Sequence, residues 1–488
     1  MSPTWVALIL VLYFSLLFLI SYLTSRNATS DTFFTGNRQS PWYLVAFGMI
    51  GASLSGVTFI SVPGSVLHES MAYMQVIFGY IFGYLVIGLI LMPIYYKLNL
   101  ISIYSYLGQR FGNFSHLTGS GFFILSRTMG SAMRLYLATD VLYVFLFEAM
   151  GFSFFLTAVI TILLIWIYTF KGGIKTIVYT DTFQTFFLVS SVIITVVVIL
   201  QQLDWTLFEA ANELSQRGFF KLTFWEDYKS PLFFPKQFFG GMFIAIAMTG
   251  LDQDLMQKNL TCKNLKDAQK NMWSFTSVMV VVSFLFLFLG GLLFTYAEIN
   301  QIALPLNSAG GIQTDRVFPT LALNEFGTLA AVFFLLGITA SSYASADSAL
   351  AALTTGFCID FLKLENKNEK YRMKAKWWTH IGFSLLFLII ILVVKELNHS
   401  SLISTILKVA AFTYGPLLGL FAFGILSKRQ VKDKWVPLIC IFAPLISYVL
   451  HANSKVWLNG YVFGYEMLIL NGLFTCLGLY FISNNKNS

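Results

Sequence analysis

The sequence predicts an all-α polytopic membrane protein with about thirteen transmembrane helices. Composition is the first observation behind this. Hydrophobic residues make up 57% of the 488 and charged residues only 11%, where a soluble domain carries about 25%; the mean hydropathy is +0.72. The second is a series of apolar segments able to carry a membrane helix, at 4–24, 42–67, 70–96, 115–147, 150–169, 177–200, 233–257, 272–297, 319–359, 378–395, 401–426, 435–451 and 461–482. The third is the placement of charge. Of the 31 Lys and Arg, twenty-one fall in one set of alternate loops and seven in the other, with Arg127, Arg134 and Lys408 left inside helices. This asymmetry is the positive-inside pattern. It puts the N-terminus outside and the C-terminus in the cytoplasm of a plasma (inner) membrane.

Segment 4–24 lacks a basic leader and an Ala-x-Ala site, so it reads as a retained helix rather than a signal peptide. The second segment contains Gly51-Ala52-Ser53-Leu54-Ser55-Gly56-Val57-Thr58. Ser53 and Ser55, two apart, cannot share a helical face, and Pro63 and Gly64 weaken the helix further. A local break there would point both serines at a ligand and free backbone carbonyls. In the third segment, Gly79 and Gly83 form a Gly-x-x-x-Gly packing pair. Segments 115–147 and 319–359 are unusually long. About 33 residues would run roughly 50 Å, so these helices must tilt or protrude. They hold similar places in two five-helix blocks, 42–200 and 233–426, which hints at an inverted repeat. A leading helix and loop (1–41), an extracellular loop (201–232) and two trailing helices with a cytoplasmic tail (427–488) complete the organisation.

The ninth segment carries Ile338, Ser341, Ser342 and Ser345 at spacings of three and four, on one helical face. Hydroxyls at bilayer depth need partners, and a stripe of oxygens suits a small hard cation such as sodium. Asp181 lies near the start of the sixth segment. An ionisable group within a membrane helix is a functional candidate by default; the plain alternative is an interfacial pair with Lys175. Arg127 and Arg134, seven apart, face nearly the same way. A guanidinium suits a carboxylate ligand, while a salt bridge, for instance with Asp140, or snorkelling is the structural alternative. Gln75 is placed either to hydrogen-bond a solute or to satisfy a neighbouring helix.

Other chemistries are not signalled. The chain has no phosphate-binding Gly-Lys-Ser/Thr loop, no Gly-x-Ser-x-Gly elbow and no His-Glu-x-x-His, so no enzyme is expected. The four cysteines (Cys262, Cys358, Cys440, Cys476) show no metal-ligand spacing and read as packing residues. Basic residues sit in loops between apolar runs, which argues against a nucleic-acid partner. No loop exceeds about 30 residues, too short for a soluble output domain, and no obligatory protein partner is signalled. The expected partners are a bilayer, an ion and a small-molecule solute. A proton-coupled carrier is the near rival and a membrane-embedded transferase the distant one.

Five motifs in this order resemble the sodium:solute symporters, the family of sodium/glucose, sodium/proline, sodium/iodide and bacterial sodium/sialic acid transporters. They are Ser53-Leu54-Ser55-Gly56-Val57-Thr58-Phe59; Gly172-Gly173-Ile174-Lys175 followed by Tyr179-Thr180-Asp181-Thr182-Phe183-Gln184; Asp252-Gln253-Asp254-Leu255-Met256-Gln257-Lys258-Asn259-Leu260-Thr261; Ser341-Ser342-Tyr343-Ala344-Ser345; and Gly415-Pro416-Leu417-Leu418-Gly419-Leu420-Phe421. The resemblance covers about residues 5 to 430. It implies an inverted-repeat core of five plus five helices with a broken first core helix, working by alternating access. It also implies a sodium site from the carbonyls of Gly51, Leu54 and Ile338 and the hydroxyls of Ser341 and Ser342. Some members hold a second sodium. Here Asp181, Ser342 and Ser345 would serve it, but Ala344 stands where some relatives have a further hydroxyl. Ser53, Ser55, Thr58, Gln75 and Arg127 match solute-contacting positions of the sialic-acid branch, with Arg134 a competitor for Arg127. The pattern leans to an organic anion such as sialic acid or a monocarboxylate, with a sugar or an amino acid as the alternative.

Overall fold

The computed structural model describes residues 3–26, 28–148, 150–307, 310–397 and 402–484. It is almost wholly helical. Helix α1 (Pro3–Ser25) precedes a bent pair, α2 (Trp42–Ser53) and α3 (Gly56–Glu69), whose axes differ by 63°. The bend sits where the small and hydroxyl residues crowd. Leu54 (φ −86°, ψ 79°) and Ser55 (φ −65°, ψ 166°) leave helical geometry. Each half closes on itself, with Leu54 N bonding Ile50 O at 2.8 Å and Phe59 N bonding Ser55 O at 2.9 Å. The last carbonyls of α2 therefore have no helical donor ahead of them.

Helix α4 (Tyr73–Val86) continues through a wider turn to Lys97. Helix α5 (Asn113–Leu142) starts where Gly112 (φ 148°) turns the chain, and the Asp433 carboxylate accepts from Phe114 N and Ser115 N at 2.8 Å each. A carboxylate on the first free N–H groups is a stabilising cap. Helices α6 (Phe154–Thr169) and α7 (Ile174–Leu203) follow. Gln75 sits fully buried beneath the 201–232 loop. Its amide donates to Leu232 O and accepts from Phe224 N, both at 3.0 Å.

The reading of 233–257 as one helix is corrected here. Helix α8 (Phe234–Ala245) runs on to Gly250, then breaks at Leu251 and Asp252, and α9 (Gln253–Asn259) starts anew with the Asp252 side chain accepting from Asp254 N. An Asp in extended conformation is a strong helix start, and it overrides the apolar run before it. Helix α10 (Leu265–Ile299) comes next. The 319–359 segment is likewise two pieces. A short helix, Val317–Asn324, ends before Gly327 (φ 76°), and α11 (Gly327–Gly356) begins there. Helices α12 (Glu369–Leu397), α13 (Leu402–Leu426), α14 (Val436–Trp457) and α15 (Met467–Phe481) complete the chain.

Eight of the described helices are long and apolar enough to cross a bilayer, and the bent pair α2–α3 makes a ninth span. Helices α6 and α15 are apolar but shorter. Helix α11 lies at the centre and is apolar or small on every side, as a fully surrounded helix must be. It packs along α7 and against α5, α2 and α3. Small residues set the closest approaches. A Cβ on Gly79 would strike the Phe238 carbonyl, one on Gly83 the Met242 carbonyl and one on Gly241 the Val76 carbonyl, so α4 and α8 lie backbone against backbone.

Candidate ion and solute site at the broken helices

The break in α2–α3 meets α11 at the serine stripe. A Cβ on Gly56 would collide with Ser342 Oγ and come within 3.6 Å of Ser341 Oγ, so only glycine permits the contact. Ser341 Oγ donates to Ile338 O at 3.1 Å and keeps its lone pairs. Ser342 Oγ is fully buried and has no hydrogen-bond partner among the described residues. On the other flank, Gly51 N donates to Thr185 Oγ1 of α7 at 3.0 Å, which steadies the end of α2. A buried hydroxyl without a partner is costly. A small cation at this junction would use its oxygen together with the free carbonyls of the break. The residues present therefore fit sodium.

Asp181 of α7 is fully buried, and the Lys258 ammonium of α9 binds its Oδ2. The pairing with Lys175, the plain alternative for this residue, is not what is found: the partner is Lys258. Among the described residues its Oδ1 has no hydrogen-bond partner, nor has Ser345 Oγ. Asp347, off the serine stripe, receives the Tyr168 hydroxyl at 2.7 Å.

A cavity opens beside the break. Ser53, Ser55 and Thr58 line it from the break, Arg127 and Arg134 from α5, and Tyr73, Tyr80 and Tyr84 from α4. An adjoining cavity of about 850 Å³ shares Ser55, Thr58 and Arg134 and extends past Ser61 and Ser65 to Glu69. Gln75 lines neither cavity; the loop hydrogen bonds described above take up its amide. Arg127 is only 4% exposed, and its guanidinium bonds Asp254 Oδ2 with Asp252 Oδ2 3.7 Å away. Ser348 also donates to Asp254, and Tyr414 to Asp252. Arg134 makes no side-chain hydrogen bond or ion pair among the described residues, while Asp140 is taken by Lys395 at 2.8 Å. Asp252, Asp254, Ser348 and Tyr414 were given no individual role in the sequence reading. The doubled acid of Asp252-Gln253-Asp254 after an apolar run was the available signal.

The sodium:solute symporter family profile matches residues 33–433. The chain belongs to the sodium:solute symporter family. Its relatives include the sodium/sialic acid symporter SiaT of Proteus mirabilis, 25% identical over 453 residues, covering 91% of this chain and 88% of the relative. The sodium/sialic acid symporter NanT of Aliivibrio fischeri is 26% identical over 482 residues (96% and 91%). Human sodium-coupled monocarboxylate transporter 1 is 26% identical over 412 residues (82% and 64%). The fold matches a substrate-bound, outward-open Na+-coupled sialic acid symporter with a TM-score of 0.81 at 20% identity over 99% of both chains. It also matches Mhp1, a nucleobase-cation-symport-1 transporter, at 0.52 and 16% identity over 92% and 93%. Membership makes this symporter a multi-pass membrane protein with sodium as its coupling ion.

Proposed function

We propose that this symporter imports a small organic anion, a sialic acid or a monocarboxylate, by sodium-coupled alternating access. The observation that carries the reading is the meeting of the α2–α3 break with Ser341 and Ser342 beside a cavity that holds an unpaired guanidinium. Sodium binds among the carbonyls of Gly51, Leu54 and Ile338 and the hydroxyls of Ser341 and Ser342. The ion pins the broken helix to α11 and so shapes the wall formed by Ser53, Ser55 and Thr58. Arg134 then takes the carboxylate of the solute. Arg127, the first match by resemblance, has its charge spent on Asp254. A second sodium at Asp181 Oδ1 and Ser345, shared with Ser342, belongs to the same reading and is supported by those partnerless buried oxygens.

The organisation follows suit. Both blocks, 42–200 and 233–426, open with an interrupted helix, at Leu54–Ser55 and at Leu251–Asp252, which supports five helices plus an inverted five. Counting α5, α6, α8 and α15 as crossings brings the spans to about thirteen. The charge bias then sets the N-terminus outside. The test is uptake into proteoliposomes under a sodium gradient, with sialic acids, monocarboxylates and neutral sugars. Uptake of an anion that stops when choline replaces sodium supports the reading. Uptake indifferent to that exchange overturns sodium coupling, and a preference for neutral sugar overturns the anion.

A further inference from the structure

One cavity runs along α3 to Glu69, and the adjoining one reaches Arg127 of α5 and Leu255 of α9 at its other end. Behind that end lies a buried charged cluster. Arg127 of α5 lies seven residues before Arg134, hence about 10 Å further from the Glu69 end. At that depth its guanidinium meets Asp252, in the break between α8 and α9, and Asp254, in the first turn of α9. Ser348 of α11 adds a hydrogen bond to Asp254, and Tyr414 of α13 one to Asp252. Four separately packed elements are thus tied through two carboxylates, and both carboxylates are fully buried.

We infer that this cluster is the latch that seals the floor of the cavity. The inference rests on the symport reading above. A solute leaving through the floor must part α9 from α5, and that parts Arg127 from Asp254. An ion pair is costly to break in a dry interior and cheap to break once water reaches both charges. The latch therefore has two acceptable states, dry and paired or wet and open, and few between them. Asp254 is a positioning residue in this account: it touches neither solute nor sodium.

The test reads the outward population directly. Ser65, which lines the outer cavity, becomes the single cysteine on a background with Cys262, Cys358, Cys440 and Cys476 changed to alanine. A membrane-impermeant maleimide is added outside, with and without sodium. In Asp254→Asn the labelling rate in sodium should fall about threefold or more, as the population moves to the floor-open state. Tyr414→Phe, which removes one hydroxyl and keeps both charges, should move the same way by less. The exchanged pair Arg127→Asp with Asp254→Arg should return the rate towards the parent value. Unchanged or faster labelling in both Asp254→Asn and Tyr414→Phe overturns the latch; should Asp254→Asn not fold, Tyr414→Phe decides alone. If sodium has no effect on labelling of the parent protein, the coupling reading fails instead, so the two failures are separable.

Discussion

One oxygen atom, Ser342 Oγ, decides how the ion site is read. Removing it by Ser342→Ala should abolish the sodium dependence of uptake while the amount of folded protein in the membrane stays within a factor of about two, because a buried orphan hydroxyl contributes little to the fold. Normal sodium-driven uptake by that variant would place the ion elsewhere. The two arginines separate in the same manner. Arg134→Gln should lower uptake of an anion at least tenfold, about 1.4 kcal/mol, and leave a neutral analogue nearly unchanged. Arg127→Gln leaves Asp254 buried without its cation, at a cost of about 3–5 kcal/mol, so its signature is a lowered melting temperature for every condition tested. Equal melting temperatures for the two variants would remove the distinction. The sequence placed both arginines on one face and offered Asp140 as a salt-bridge partner; Asp254 is 127 residues from Arg127, and no periodicity reports such a contact.

At the level of the helix, the breaks are the informative feature, and they were unequally legible. Around Leu54, glycines and hydroxyls announce the first break in composition alone. The second, at Leu251 and Asp252, hides in a run with no charged residue between Lys236 and Asp252, so the Asp cap after it was the clearest sign. Gln75 is a parallel case. A buried amide is readable as needing partners, but the partners lie in a loop that the sequence left without structure. Glycine spacing yields a paired prediction. Gly56→Ala puts a methyl group onto Ser342 Oγ and should weaken sodium activation of uptake tenfold or more. Gly121→Ala in α5 meets nothing within 4 Å and should raise the melting temperature slightly, since alanine in a helix is better than glycine by roughly 0.5–1 kcal/mol. Equal sodium activation in Gly56→Ala and the parent would mean the break is not the ion's seat.

For the whole molecule, coupling is a statement about two ligands. Sodium and solute must each raise the other's affinity by the same factor. A thermal-shift series should therefore show a solute stabilising the protein more in sodium than in choline, and sodium stabilising it more with solute present. Strictly additive shifts would mean two independent sites. The framework for that exchange was largely legible. Apolar segments gave the helical multi-pass membrane character, and the motifs gave the family. The floor contacts needed coordinates, since they join residues from four distant stretches of chain. The glycine-lined seam between α4 and α8 has a mechanical meaning. Two rods in backbone contact over residues 76–83 and 238–245 interlock and resist sliding along one another, so we expect them to move together. Any tilt that parts the floor must carry the outer rim, and the loop that Gln75 holds there, in the same stroke.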